Sequence, residues 1–210
     1  MHAPTETVTE PDGAQLELTD IPIRPAAMPL RHNKVVRLEH IRDASIEERG
    51  TLLSLLYDVL VENWRQARFG PCIQGAVFEL ELDGPPRLFS LLDGYLTVSL
   101  GDGPAHFHLC IGSHQGLQTE TSSELARHRQ CARAAFYRRF SADGCVPGSW
   151  GILLWNGAEE QMITLYLPSP FLDDRLKPMR EPDWSRLALW NQLRARYLGE
   201  TEPQPIPEVV

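Results

Sequence analysis

Between residues 52 and 64 the apolar positions Leu52, Leu55, Leu56, Val59, Leu60 and Trp64 recur at three- and four-residue steps, the spacing that lines one face of an α-helix. Ser45, followed three residues later by Glu48, supplies a capping box for its start, and Gly70-Pro71 supplies a stop. The period then shortens to two. The runs AVFELEL, RLFSLL, YLTVSL and HFHLCI alternate apolar and polar positions, which predicts four short strands. Asp93-Gly94 separates the second and third runs, and that pair suits a type I′ turn because both central residues need positive φ. Gly101-Asp102-Gly103-Pro104 joins the third run to the fourth, so the group reads as an antiparallel meander.

The helical period returns in TSSELARHRQCARAAFYRRF, residues 121–140. Thr121 and Glu124 offer a second capping box, and Leu125, His128, Ala132, Ala135 and Phe136 fall on one stripe. SWGILLWNGAEEQMITLYL reads as a hairpin turning at Asn156-Gly157, stopped by Pro168 and Pro170. Residues 183–198 form a last amphipathic helix through Trp184, Leu187, Leu189, Trp190, Leu193 and Tyr197. Helices and strands are segregated, so the expected class is α+β: a mainly antiparallel sheet, a meander plus a hairpin, packed with three main helices. That order, and the lack of G-x-G-x-x-G spacing, argue against a dinucleotide-binding fold. Residues 1–30 lack a sustained period and read as a flexible N-terminal arm, with LELTDIPI laid against the body. Residues 31–198 read as a single α+β domain, and 199–210 as a Pro-rich acidic tail.

Composition narrows the partners. The chain has 210 residues and a formal charge of −8, which argues against a nucleic-acid surface. No run approaches the roughly 18–20 apolar residues of a membrane span, and the first twenty residues lack a basic and an apolar region, so the expected location is cytoplasmic. The four cysteines, at 72, 110, 131 and 145, form no C-x-x-C pair, which points to free thiols rather than a zinc ribbon or a thioredoxin-type centre.

Candidate chemistry comes from splitting the strands into faces. In the hairpin at Asp93-Gly94, Phe89, Leu91, Leu96 and Val98 share one face, and Ser90, Tyr95, Thr97 and Ser99 the other. In the fourth run Phe107, Leu109 and Ile111 oppose His106, His108 and Cys110. A wet sheet face usually carries lysines, arginines, glutamates and threonines, whereas imidazoles, a thiol and the tyrosines Tyr95 and Tyr166 suit a pocket or a covered surface. Two histidines at i and i+2 on a strand can hold one transition metal, Fe, Zn or Cu, with Glu79 or Glu81 as carboxylate, Cys110 as thiolate or His128 as a third nitrogen. The arginines Arg129 and Arg133 can then position a small anionic substrate. A cysteine nucleophile is a weaker alternative: Cys131 follows His128 by three residues amid arginines that would lower its pKa.

The leading expectation is therefore a metal-binding protein and, if it is an enzyme, a small metalloenzyme. The alternative is a non-catalytic accessory or ligand-binding subunit that docks a partner protein or holds an organic cofactor on the polar sheet face. Neither reading fixes an oligomeric state, and a homo-oligomer fits both.

Overall fold

Two antiparallel sheets and a helix buried beyond its first turn share one continuous apolar core. The computed structural model describes residues 4–28, 35–73, 76–112, 120–140 and 147–200. In chain order the elements are β1 (Thr5–Thr9), β2 (Gln15–Asp20), α1 (Leu38–Asp43), α2 (Ile46–Tyr57), β3 (Arg68–Gly70), β4 (Cys72–Ile73), β5 (Ala76–Val77), β6 (Leu80–Glu81), β7 (Phe89–Leu92), β8 (Tyr95–Ser99), β9 (His106–Cys110), α3 (Glu120–Arg129), β10 (Cys131–Phe140), β11 (Pro147–Asn156), β12 (Gln161–Leu167) and α4 (Ala188–Leu198). The larger sheet has the order β1-β2-β10-β11-β12-β3-β6, the smaller one β7-β8-β9, and β4 and β5 pair alone. The expected α+β class with a mainly antiparallel sheet is the observed one. Among the described residues no helix is long and apolar enough to cross a membrane.

The hairpin of the smaller sheet has the register that the sequence implies. Leu92 faces Tyr95 and Phe89 faces Val98 across a turn in which Asp93 and Gly94 both have positive φ, at 50° and 81°. Phe89, Leu91, Leu96 and Val98 are buried in the common core. AVFELEL departs from expectation, because it breaks into β5 and β6, and β6 pairs with β3 in the larger sheet instead of joining the meander.

The capping box at the start of α2 is present, with Ser45 Oγ accepting from Glu48 N–H at 3.2 Å and Glu48 Oε2 accepting from Ser45 N–H at 2.7 Å. Two features of this helix were not expected. Every residue from Arg49 to Leu60 is buried, so it is a core helix covered on all sides rather than an amphipathic one. It is also interrupted at Gly50 (φ 72°, ψ 173°), and it widens into a π turn over Asp58–Glu62. Around Gly50 the segment 21–28 crosses as a strap: Ala27 and Met28 N–H donate to Glu48 O, both at 2.9 Å, and Thr51 N–H donates to Arg24 O at 3.0 Å.

Residues 121–140 depart furthest from the expected helix. Only Glu120–Arg129 is helical, and Cys131–Phe140 is a central strand paired on both sides, with β2 and with β11. Its two faces are both buried: Ala134 and Phe136 point into the main core, Ala135 and Tyr137 into a second cluster with Leu18 and Leu153. Its arginines are matched by the acids of β1, β2 and the turn between them: Arg133 with Glu6 and Asp20, Arg138 with Glu17, and Arg139 with Glu10 and Asp12. Within the expected arm, Thr5–Thr9 and Gln15–Asp20 form an edge hairpin of the larger sheet, the second strand lying in the LELTDIPI stretch that the sequence lays against the body. The side chain of Thr121 and the capping box proposed for it lie outside the described residues, as do His114 and Cys145.

At the other end, Gly199 closes α4 in the left-handed conformation (φ 71°). Glu200, placed by the sequence at the start of the tail, is buried, and it accepts two hydrogen bonds from Arg194 at 2.9 and 2.8 Å. The rest of that tail, 201–210, is outside the described residues.

Candidate functional site

The geometric part of the sequence reading holds at β9. His106, His108 and Cys110 face Ser99, Thr97 and Tyr95 across the ladder, all on one side of the smaller sheet. The two imidazoles are exposed, with ring centroids 5.0 Å apart. His106 Nδ1 lies 3.0 Å from Pro104 O and His108 Nδ1 lies 2.8 Å from Thr97 Oγ1. Cys110, by contrast, is buried; its thiol donates to Gly112 O at 3.6 Å, and burial pushes its pKa up.

The remaining members of the expected donor set are elsewhere. β6 belongs to the other sheet, so Glu81 pairs with Arg68, and Glu79 lines a separate cleft of about 370 Å³ with Tyr166, Arg65, Arg68 and Arg186. In that cleft Arg68 and Arg186 are neutralised by Glu81 and Asp174. His128 sits on α3 with Nδ1 3.6 Å from Glu160, exposed rather than facing the body of the protein. Among the described residues no three His, Cys, Asp or Glu side chains converge as a metal centre. Arg129 is exposed at the end of α3. Arg133 stacks over Trp155 and is held by two carboxylates, which leaves it ill suited to position a substrate anion. Tyr95 stands beside Cys110 and Tyr166 in the other cleft, so the two tyrosines do not share a site.

The nucleophile reading of Cys131 is corrected as well. Cys131 lies on a strand, is buried, and donates to Arg133 O at 3.5 Å. Burial pushes its thiol up to about 12, the reverse of the activation that a helix with five arginines would provide.

A cavity missed by the sequence reading lies under the strap. It has a volume of about 390 Å³ and is lined by residues 23–26 and Met28 of the strap, by Leu52 and Leu53 of α2, by Leu91 of β7, by Ile111 and Gly112 after β9, and by Gln130 and Cys131 where α3 gives way to β10. Its walls are mainly aliphatic, and Arg49 is set into them. Arg49 is only 7 % exposed, and among the described residues its Nε and Nη1 have no hydrogen-bond partner. Its guanidinium lies 4.8 Å from the Tyr57 ring centroid. The nearby buried carboxylate, Asp58, is taken by other donors, Tyr197 Oη at 2.6 Å and Arg196 at 3.0 Å. Burial raises the Asp58 pKa, while Tyr197, Arg196 and Arg49 pull it back down.

Arg49 was invisible to pattern reading because it occupies the first turn after a capping box, where a charged residue is ordinarily solvated. One signal was present: Gly50 inside a leucine-rich helical pattern marks a close backbone approach, here by the strap that roofs the cavity.

Buried thiol and phenol groups give a pH prediction. Cys131, Tyr137 and Tyr197 all hold their protons more tightly in the fold than when exposed, chiefly because of burial. Above pH about 9 the folded state therefore binds more protons than the unfolded one, and stability falls as pH rises, by about 1.4 kcal/mol per pH unit for each group within its window. Thermal melts from pH 8 to pH 12 should show a steady decline beginning near pH 9. Cys131→Val should shallow that decline; a rising melting temperature across the range would contradict the assignment.

No curated protein matches the chain. Among solved structures, one titled "Crystal structure of ChuX" is similar at 14 % sequence identity, with a TM-score of 0.45, covering 80 % of this chain and 78 % of that one. Residues 31–199 match a protein family, and over that span the chain belongs to DUF7676, described as a family of unknown function.

Proposed function

We propose that this protein is a binding protein that takes an organic anion with an apolar body into the cavity beneath the strap. The observation that carries this reading is Arg49, a nearly buried cation whose Nε and Nη1 have no partner among the described residues, in a cavity that is otherwise largely aliphatic. Burying unsatisfied donors costs free energy, and a carboxylate matches the guanidinium fork with two parallel hydrogen bonds. The volume, about 390 Å³, falls in the range of small-molecule pockets. Binding is favoured over catalysis because, among the described residues that line the cavity, Cys131 is the only proton-transfer or nucleophilic group apart from the arginines, and its thiol stays protonated at neutral pH.

Thermal shift and calorimetric titration with medium-chain alkanoates and aromatic monocarboxylates test the proposal. A saturable rise in melting temperature is expected in the wild type. Arg49→Met, which keeps the apolar stem and removes the unpaired donors, should fold and lose the response. Arg129→Met on the exposed end of α3 should respond as the wild type does. Equal stabilisation of wild type and Arg49→Met, or stabilisation of neither, overturns the proposal.

A further inference from the structure

The histidine pair on β9 is left unused by the cavity, and its geometry has its own meaning. We infer that His106 and His108 together bind one divalent transition-metal ion through their Nε2 atoms, as an open two-imidazole site on the surface of the smaller sheet.

A carbonyl oxygen only accepts, so the 3.0 Å contact between His106 Nδ1 and Pro104 O requires the proton on Nδ1 and leaves the lone pair on Nε2. His108 takes the same tautomer when its Nδ1 donates to Thr97 Oγ1 at 2.8 Å. This is the outer-shell arrangement that orients metal-ligating histidines: one ring nitrogen donates to the protein, which fixes the ring and makes the other nitrogen the ligand.

The spacing agrees. With a metal–nitrogen bond of about 2.0–2.1 Å, each ring centroid stands about 3.2 Å from the ion. Two rings whose centroids are 5.0 Å apart then subtend roughly 100° at the ion, between the square-planar and tetrahedral values. Access is open, since β9 is an outer strand of its sheet and both histidines are exposed.

The donor set decides the metal. Cys110 shares the face, but it is buried, protonated and directed to Gly112 O, and Glu79 and Glu81 belong to the other sheet. Two neutral imidazoles without a carboxylate favour ions with high nitrogen affinity, Cu²⁺ ahead of Ni²⁺ and Zn²⁺, and give no hold on Mg²⁺ or Ca²⁺. The remaining coordination positions are open to water or to a donor from another molecule.

Calorimetric titration of tag-free protein with CuCl₂, NiCl₂ and MgCl₂ in a weakly coordinating buffer tests this inference, with copper electron paramagnetic resonance as a second readout. The expected result is one equivalent of copper or nickel, nitrogen hyperfine structure from two imidazoles, and no heat from magnesium. Either His106→Ala or His108→Ala should weaken binding at least tenfold, with unchanged thermal melts because both side chains are exposed. The absence of saturable copper binding, or a single variant that binds as tightly as the wild type, would overturn it. The carboxylate response of the cavity is independent of this outcome, because neither His106 nor His108 is among the described residues that line it.

Discussion

Glu200→Ala lowers the stability of this fold by about 3–5 kcal/mol, the usual cost of removing one partner of a buried ion pair. Arg194 and Glu200 are 5 % and 4 % exposed, and they are joined by two hydrogen bonds. Burial makes Arg194 easier to deprotonate, and Glu200 is the main group opposing that shift. Without Glu200 the guanidinium stays buried over the rings of Phe136 and Trp190 and loses its hydrogen-bonded counter-ion. Equilibrium unfolding in urea measures the loss. The control is Arg194→Met combined with Glu200→Leu, which removes both charges and should recover most of the stability, because a buried ion pair contributes little against apolar residues of similar volume. A single Glu200→Ala variant within 1 kcal/mol of the wild type would show that the C-terminal contact is not part of the folded unit.

Substitution of Gly50 is the second large effect. Its φ of 72° with ψ of 173° lies outside the left-handed helical region that asparagine visits and inside one essentially reserved for glycine. A Cβ at this position would meet the strap backbone, 2.6 Å from Ala26 N and 2.7 Å from Arg24 O. Backbone strain of this kind costs about 1–3 kcal/mol before the overlap is counted, so Gly50→Ala should be destabilising and Gly50→Asn should give no rescue. Since the strap is also the roof of the cavity, both variants should weaken carboxylate binding by more than their loss of global stability explains. Urea unfolding and calorimetric titration on the same preparations separate the two effects, and intact binding in Gly50→Ala would show that the strap does not enclose the ligand.

How much of this was legible in the sequence follows from which interactions are local. The hairpin Phe89–Ser99 could be read down to its register, because a period of two and an Asp-Gly turn fix both the faces and the pairing, and β9 could be read as far as its two faces. The capping box at Ser45 could be read because both hydrogen bonds lie within four residues. The last helix could be read from its apolar stripe, with only its first turn, Trp184–Leu187, tightened to a 3₁₀ form.

The candidate donor set failed for the opposite reason. Placing Glu79 or Glu81 beside His106 assumed that sequential strands pair, and β6 pairs with β3 across a different sheet. The same limit applies to residues 121–140. Alanine and arginine favour a helix intrinsically, and nothing local ends one at Gln130. The helix ends because the turn after β11 satisfies its last carbonyls: Asn156 Nδ2 donates to His128 O at 2.6 Å and Gly157 N–H donates to Arg127 O at 2.9 Å. The following ten residues then find partners on both sides, β2 and β11, and bury both of their faces. That burial, with the acidic side chains of residues 6–20 arranged along the arginines, outweighs a helix propensity of a few tenths of a kcal/mol per residue.

By itself the sequence determined what short-range geometry controls: the segregated α+β class, the smaller sheet with its two faces, and the juxtaposition of His106 and His108 on one of them. Tertiary structure alone decided which strands are neighbours, which arginines are neutralised, and that Arg49 stands nearly buried in a cavity, with donors that have no partner among the described residues. The physical reason is that pairing across sheets and the desolvation of a charge depend on residues far apart in the chain, and no local period carries that information.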